Sequence, residues 1–355
     1  MDETAYLWRS RKSDWLKTCQ SAMILAMRYL CRFLIVIFLT NPAFADDASR
    51  ISSYKGSGWA QTDFSKRSID LKEILSGGPS KDGIPSIDNP IFKPIAEISD
   101  ISDQEPVIGF AINGDARAYP LRILMWHEIV NDTVGGVPVT VTYCPLCNAA
   151  IVFERTVKGK VLDFGTTGLL RNSDLVMYDR QSQSWWQQFT GTAIVGSMLG
   201  TELKVLPARL ESYQNYKKRF ANGKVQVPNN PGRRNYGRNP YANYDRMAYP
   251  FLYKGSMPKG IKPMERVVAF RQDGKLQIYA LPLLAKQKQV KSDKITIKWS
   301  AGQNSALDKA QISQGRDIGN ITVQENRNGD MVDIPYDVTF AFVVHAFHPE
   351  AKINQ

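Results

Sequence analysis

Val-Pro-Val-Thr-Val-Thr-Tyr-Cys, residues 137–144, alternates apolar and polar side chains along its length. A period of two marks a strand with one buried and one more polar face. Val137, Val139, Val141 and Tyr143 share one side; Thr140, Thr142 and Cys144 share the other. Gly135-Gly136 turns the chain in front of this strand, and Pro145-Leu146-Cys147 ends it. Cys144 therefore leaves the strand on its polar face, with Cys147 close behind.

Working outward, Val107 to Ala111 and Ala116 to Tyr119 read as a hairpin closed by Asn113-Gly114-Asp115. Pro120 opens a short helix with Leu121, Leu124, Met125 and Glu128 on one side and His127 near its end. Ile151 to Thr156 and Lys160 to Phe164 form a hairpin around Lys158-Gly159, and Leu175 to Tyr178 and Ser184 to Gln188 flank a polar turn. Strands return at Val267 to Arg271, Leu276 to Leu281 and Ile295 to Ser300. Val338 to Phe347 is apolar throughout, which predicts a central strand buried on both faces. Helices are expected at Ser68 to Leu75 and Ala208 to Phe220. Residues 221–262, rich in Asn, Pro, Gly, Arg and Tyr, have little period. They read as a long ordered excursion in which Tyr236, Tyr241, Tyr244, Tyr249, Phe251 and Tyr253 pack. The sum predicts a mainly β protein: antiparallel sheets, barrel- or sandwich-like, with a few peripheral α-helices. No repeat or linker is apparent, so 106–355 reads as a single β-rich domain behind an irregular N-terminal wrap at 46–105.

The N-terminus has the anatomy of a secretory leader. Arg28 and Arg32 precede an apolar run from Phe33 to Leu39, and Ala43-Phe44-Ala45 is a small-x-small cleavage site. The run is shorter than the roughly 20 residues that span a bilayer, so residues 1–45 read as a signal peptide and the mature chain as carrying no membrane span. Residues 1–26 fit this poorly, with Asp2, Glu3 and Asp14 ahead of the basic residues; Met23 or Met27 is the more natural start. The expected location is the periplasm.

The 355 residues carry 45 Lys/Arg against 34 Asp/Glu, a net charge of +11. Residues 1–45 hold six Lys/Arg and three Asp/Glu, which takes the remainder to +8. These charges are dispersed and accompany no nucleic-acid motif, so a solvated surface explains them and a small molecule or metal ion is the expected partner.

Cys19 and Cys31 lie in the leader, which leaves Cys144 and Cys147 as the mature pair. Two thiols this close can hold a metal, cycle between dithiol and disulfide, or form a structural clip. A thioredoxin-type site places such a pair at a helix N-terminus, whereas Asn148 to Glu154 reads as another strand. A zinc knuckle wants two such pairs, so any metal here needs other partners. His127 and His348 are the candidates, with Met177 as an added thioether; His345 points away from His348 if that segment is extended. Two thiolates with imidazoles suit copper(I) best, zinc second. This reading requires Cys144, Cys147, His127 and His348 to converge. The alternative is a small-molecule enzyme or binding protein with a structural Cys144–Cys147 disulfide and a polar, aromatic site around His127, Asp179 and Arg180.

A group of motifs then resembles one family. They are Gly78 to Pro90 (Gly-Pro-Ser-Lys-Asp-Gly-Ile-Pro-Ser-Ile-Asp-Asn-Pro), Ala116 to Leu124, His127 to Asp132, Thr142 to Cys147, Asn172 to Leu175, Met177 to Arg180, Ser184 to Gln188 and Ala346 to Pro349. Together they resemble the prokaryotic family called domain of unknown function 3179. The resemblance implies no activity. It groups the cysteine pair, His127, the Met-Tyr-Asp-Arg stretch and His348 in one pattern and leaves His345 outside it.

Other polar residues are weaker candidates. Asp179, Arg180 and Glu128 could act in catalysis, Glu128 as a general base beside His127. Asp174, Tyr178 and Trp186 could contact a substrate. In a strand, Trp185 and Trp186 send one ring to the core and one outward. The spacing of HExxH is absent, as are GxSxG, P-loop and dinucleotide fingerprints.

Overall fold

The computed structural model describes residues 42–355. Asn113-Gly114 and Asp273-Gly274 each put two successive residues at positive φ, 51° and 79° in the first, 48° and 75° in the second. That is the geometry of a two-residue hairpin whose twist matches its strands. Around each hairpin the chain builds the same sequence of elements. Pro106–Ile112 pairs with Asp115–Pro120, the helix Leu121–His127 follows, and Ile129–Val134 pairs with Val137–Cys144. Later, Arg266–Gln272 pairs with Lys275–Ala280, the helix is Leu281–Gln287, and Gln289–Ser292 pairs with Ile295–Ser300. A third strand joins each second hairpin, Ala149–Glu154 in one copy and Asn320–Arg327 in the other. A returning strand then pairs with the first hairpin and runs into a helix: Arg209–Ser212 into Tyr213–Arg219, and Tyr336–Phe340 into Ala341–Phe347. Each copy closes on a parallel neighbour, Lys224–Val227 beside Asp115–Pro120 and Asn354 bridged to Tyr279.

One architecture is thus present twice, which corrects the expectation of no repeat. The side chains agree: Val107, Phe110, Gly114, Tyr119, Leu121 and Leu124 recur at a constant offset as Val267, Phe270, Gly274, Tyr279, Leu281 and Leu284. Even the helix ends match. Glu128 and Lys288 have φ 57° and 63°, and each donates its N–H to the carbonyl of Leu124 or Leu284. Insertions of unequal length hide this period. The short turn 145–148 of the first copy corresponds to residues 301–319 of the second.

The first copy also carries the larger insertion. From it come Phe164–Arg171, Asp174–Asp179, Trp185–Gln187 and Thr192–Val195, which make a five-stranded sheet with Ile74–Ser76 of the N-terminal lead-in. The expectation of mainly antiparallel β with few helices holds; among the described residues no sheet closes into a barrel. One apolar cluster runs through both copies. Residues 55–355 form one unit; Pro42–Tyr54, outside it in sequence, is a helix. That helix includes the anticipated cleavage site; the rest of the anticipated leader lies outside the described residues. No described helix is long and apolar enough to cross a membrane.

Three sequence readings are corrected. Val338 to Phe347 is not one strand: the strand is Tyr336–Phe340 and the rest is helix. Ala341, Phe342, Val343 and Val344 are all buried, and a helix apolar on every face has no period to distinguish it from a buried strand. Ala208 to Phe220 is helical only from Tyr213, since Arg209–Ser212 is claimed by the Pro106–Ile112 edge. Ser68 to Leu75 forms only a short 3-10 turn, Leu71–Glu73, before the strand Ile74–Ser76.

Candidate metal centre

Cys144 is the last residue of its strand, and Cys147 follows after a tight turn in which its N–H donates to the Cys144 carbonyl at 3.2 Å. Asn148 completes the turn at φ 52°, a left-handed conformation that asparagine tolerates. Its Nδ2 donates to the Val338 carbonyl at 2.8 Å, and Thr339 Oγ1 donates to the Cys147 carbonyl at 2.7 Å. The second copy therefore clamps the turn that the first copy supplies.

Both thiols are buried and are not bonded to each other. Each points at the carbonyl of Ser173, Cys147 Sγ at 3.4 Å and Cys144 Sγ at 3.9 Å. The next residue is Asp174, at the start of the strand Asp174–Asp179. Ligating atoms of Cys144, Cys147 and Asp174 all lie within 4.8 Å of one another, and this is the one such His, Cys, Asp or Glu cluster among the described residues. Asp174 Oδ2 accepts from Gln187 Nε2 at 2.6 Å and from the Phe189 N–H at 2.9 Å. Oδ1 is buried without a hydrogen bond of ordinary geometry, and the two thiols are the weak donors beside it.

The electrostatics follow from burial without a counter-charge. Burial raises the Cys144 thiol, and Asp174 and Glu128 add to the shift. Cys147 is pushed well above the ordinary thiol range for the same first reason, with Cys144 and Asp174 adding to it. Burial lifts Asp174 to about 6 against the hydrogen bonds from Phe189, Gln187, Cys147 and Cys144 that favour its anion. Glu128 rises to about 8, through burial and then the charge of Asp174. The site is a pocket of acidic groups, each of which burial makes harder to ionise.

The structure brings Asp174 to the cysteine pair and leaves the anticipated histidines outside that cluster. His127 has both nitrogens engaged: Nδ1 donates to the Pro85 carbonyl at 2.7 Å, and Nε2 accepts from the Tyr236 hydroxyl at 2.8 Å. Burial lowers its pKa, so the ring is neutral and saturated. His348 caps the helix Ala341–Phe347 and lines a separate cavity of about 530 Å³ with Asp337 and Arg271. His345 meets the Ser256 hydroxyl instead. Met177 is fully buried in the core, paired across its sheet with Thr166 and Trp186.

The remaining candidates have structural partners. Asp179 accepts from Ser182 and from Trp186 Nε1 at 2.9 Å. Arg180 is held by Asp88 and Ser86, and Tyr178 donates to Asp82. Trp185 and Trp186 are both fully buried; the outward ring of the expected pair is covered by Trp59 and Phe64 of the lead-in. Trp186 packs on Phe164, so neither indole offers a stacking face. Glu128 lines a second cavity beside the thiols, described below.

The tyrosine-rich excursion packs over this region. Tyr244 donates to the Leu146 carbonyl at 3.0 Å, Ser173 Oγ donates to the Phe251 carbonyl at 2.5 Å, and Tyr236 meets His127. Asp174 was visible in the sequence only as one polar residue in Asn-Ser-Asp-Leu. Its place as third ligand depends on a strand that starts 27 positions after Cys147 and folds back on it.

A family model described as "Protein of unknown function (DUF3179)" matches residues 81–351. The chain belongs to this family. The matched span contains both copies of the architecture and every residue of the Cys144, Cys147, Asp174 cluster. No curated protein and no solved structure matches the chain.

Proposed function

We propose that this family member binds one transition-metal ion through Cys144, Cys147 and Asp174. The convergence of two buried thiols on Asp174 Oδ1 carries the reading: a buried carboxylate oxygen whose neighbours are only weak thiol donors recovers little of a desolvation cost of about 1–3 kcal/mol. A cation beside two thiols would satisfy it. Thiolate, thiolate and carboxylate form a mixed soft and hard set. It suits zinc better than copper(I), which is best served by sulfur and imidazole. With His127 saturated and His348 in another cavity, zinc becomes the first choice and copper the second. Three protein ligands leave one position of a tetrahedral ion for a water or a substrate atom, the arrangement of catalytic rather than structural zinc. A thiol-redox role is disfavoured because burial keeps both thiols protonated, whereas an attacking thiol must ionise.

Metal analysis of the full chain, loaded with zinc and desalted, tests this. Wild type should retain one zinc per chain, Asp174→Asn should bind at least about tenfold more weakly, and Cys144→Ser should retain none. Two thiols should titrate in the metal-free protein and be protected in the loaded one. Equal trace zinc in wild type and Cys144→Ser would end the reading; a pair that titrates only after reduction would restore the disulfide. We further propose export, on the basic, apolar and small-x-small run between Arg28 and Ala45. N-terminal sequencing of periplasmic protein should then begin at Asp46.

A further inference from the structure

Beside the cysteine turn lies a second cavity, of about 220 Å³. Its lining is almost wholly apolar and includes Leu146, the side chain between the two cysteines. Tyr241, Tyr244 and Phe251 contribute three aromatic walls, and no Lys, Arg or His lines it. Met247 and Phe251, 48 % and 51 % exposed, stand at its border with solvent and give it a mouth. A dry engineered cavity of about 150 Å³ accommodates benzene, so this one has room for a small organic molecule.

One carboxyl-bearing side chain lines the chamber. Glu128 is 8 % exposed, and its carboxyl makes no hydrogen bond to any described residue. Its backbone sits at φ 57°, ψ −31°, outside the favoured regions. The second copy shows that this conformation belongs to the fold and not to Glu128 alone. There the same position is Lys288, whose ammonium lies 3.8 Å from the ring centroid of Trp299. In the first copy, therefore, a fold-imposed strained position aims a carboxyl, without a partner, into an aromatic-walled space.

We propose that this cavity binds a small organic ammonium ion with an apolar body, its charge paired with Glu128 and its body held by Tyr241, Tyr244 and Phe251. Aromatic faces attract cations through the negative face of the ring, and desolvation strengthens that attraction. The ionisable groups that Glu128 senses or acts on, Asp174, Cys144 and Tyr241, can bear only negative charge. A carboxylic acid or phosphate would thus find no positive group, whereas an ammonium finds in Glu128 a carboxyl that its charge can pair with. This holds with or without the metal, because Glu128 is not one of the proposed ligands.

Calorimetry at about pH 8.5, where Glu128 is largely ionised, with benzylammonium against its neutral analogue benzyl alcohol, tests the proposal on metal-free and zinc-loaded full chain. Benzylammonium should bind with a Kd of about 1 mM or tighter in both forms, and benzyl alcohol at least about tenfold more weakly. Glu128→Gln keeps the shape and should erase the difference between the two probes. Phe251→Ala, at the half-exposed mouth, should weaken the ammonium several-fold without loss of folding. Equal affinity for the two probes, or none for benzylammonium, overturns the proposal. Because the metal-free arm is measured separately, a failure here is distinguishable from a failure of the zinc reading.

Discussion

Glu128 and Asp174 show what a single buried carboxyl does when its neighbours offer no positive charge. In the unfolded chain a glutamate ionises near pH 4.3; in the fold Glu128 holds its proton to about pH 8. Below pH 4 both states are protonated and burial costs nothing in charge. Between about pH 4.5 and 8 the unfolded state loses a proton that the folded state keeps, so stability falls as pH rises; above 8 the loss is complete. Asp174, raised to about 6, and Asp337, raised to about 7, steepen the same slope. Glu128→Gln should therefore match wild type near pH 4 and exceed it by a few kcal/mol at pH 8 in metal-free protein, read by urea unfolding at both values. Parallel stability curves for the two proteins would show that Glu128 is solvated rather than buried.

At the scale of elements, the turn 144–148 and the strand Tyr336–Phe340 are one device. Asn148 supplies a left-handed residue and a side-chain bond to Val338, and its neighbour Cys147 accepts from Thr339. Asn148→Ala should cost roughly 2–4 kcal/mol, part from the left-handed backbone and part from the lost buried bond. Asn148→Gly should recover only the backbone part, and both should weaken zinc retention because the sulfurs lose their fixed separation. If alanine and glycine cost the same on thermal unfolding, the backbone conformation is not what Asn148 provides. The alternation of 137–144 was legible because that strand has two distinct faces, and the hairpin at Asn113-Gly114 because its turn chemistry is local. The helix Ala341–Phe347 was not, since burial on all sides erases the period, and neither was Asp174's role, which rests on tertiary return of a strand. The duplication was legible in principle from Asn113-Gly114 and Asp273-Gly274 with the shared Tyr, Leu and Leu behind them; unequal insertions obscured it.

For the whole molecule, duplication explains where chemistry sits. The two copies share their hydrophobic positions and differ where charge and sulfur appear: Glu128 faces Lys288 in the alignment, and Cys144 faces Ser300. The first copy holds the proposed site; the second anchors the excursion that covers it. Arg266, buried at the start of its strand, pairs with Asp245 of the excursion at 3.0 Å, and Arg316 bridges Asp245 to Asp308. Burial depresses the Arg266 pKa, and Asp245 offsets part of this. Removing one partner of such a pair strands the other, at a cost of about 3–5 kcal/mol, whereas replacing both with apolar residues of similar volume is often neutral. Asp245→Leu alone should therefore lower the thermal midpoint by many degrees and expose the covering segment to protease. Asp245→Leu with Arg266→Met should recover most of the midpoint. The double variant should still retain zinc if Cys144, Cys147 and Asp174 suffice as ligands. Should it fold and yet lose zinc, the excursion contributes to metal binding directly, and the three-ligand site is incomplete.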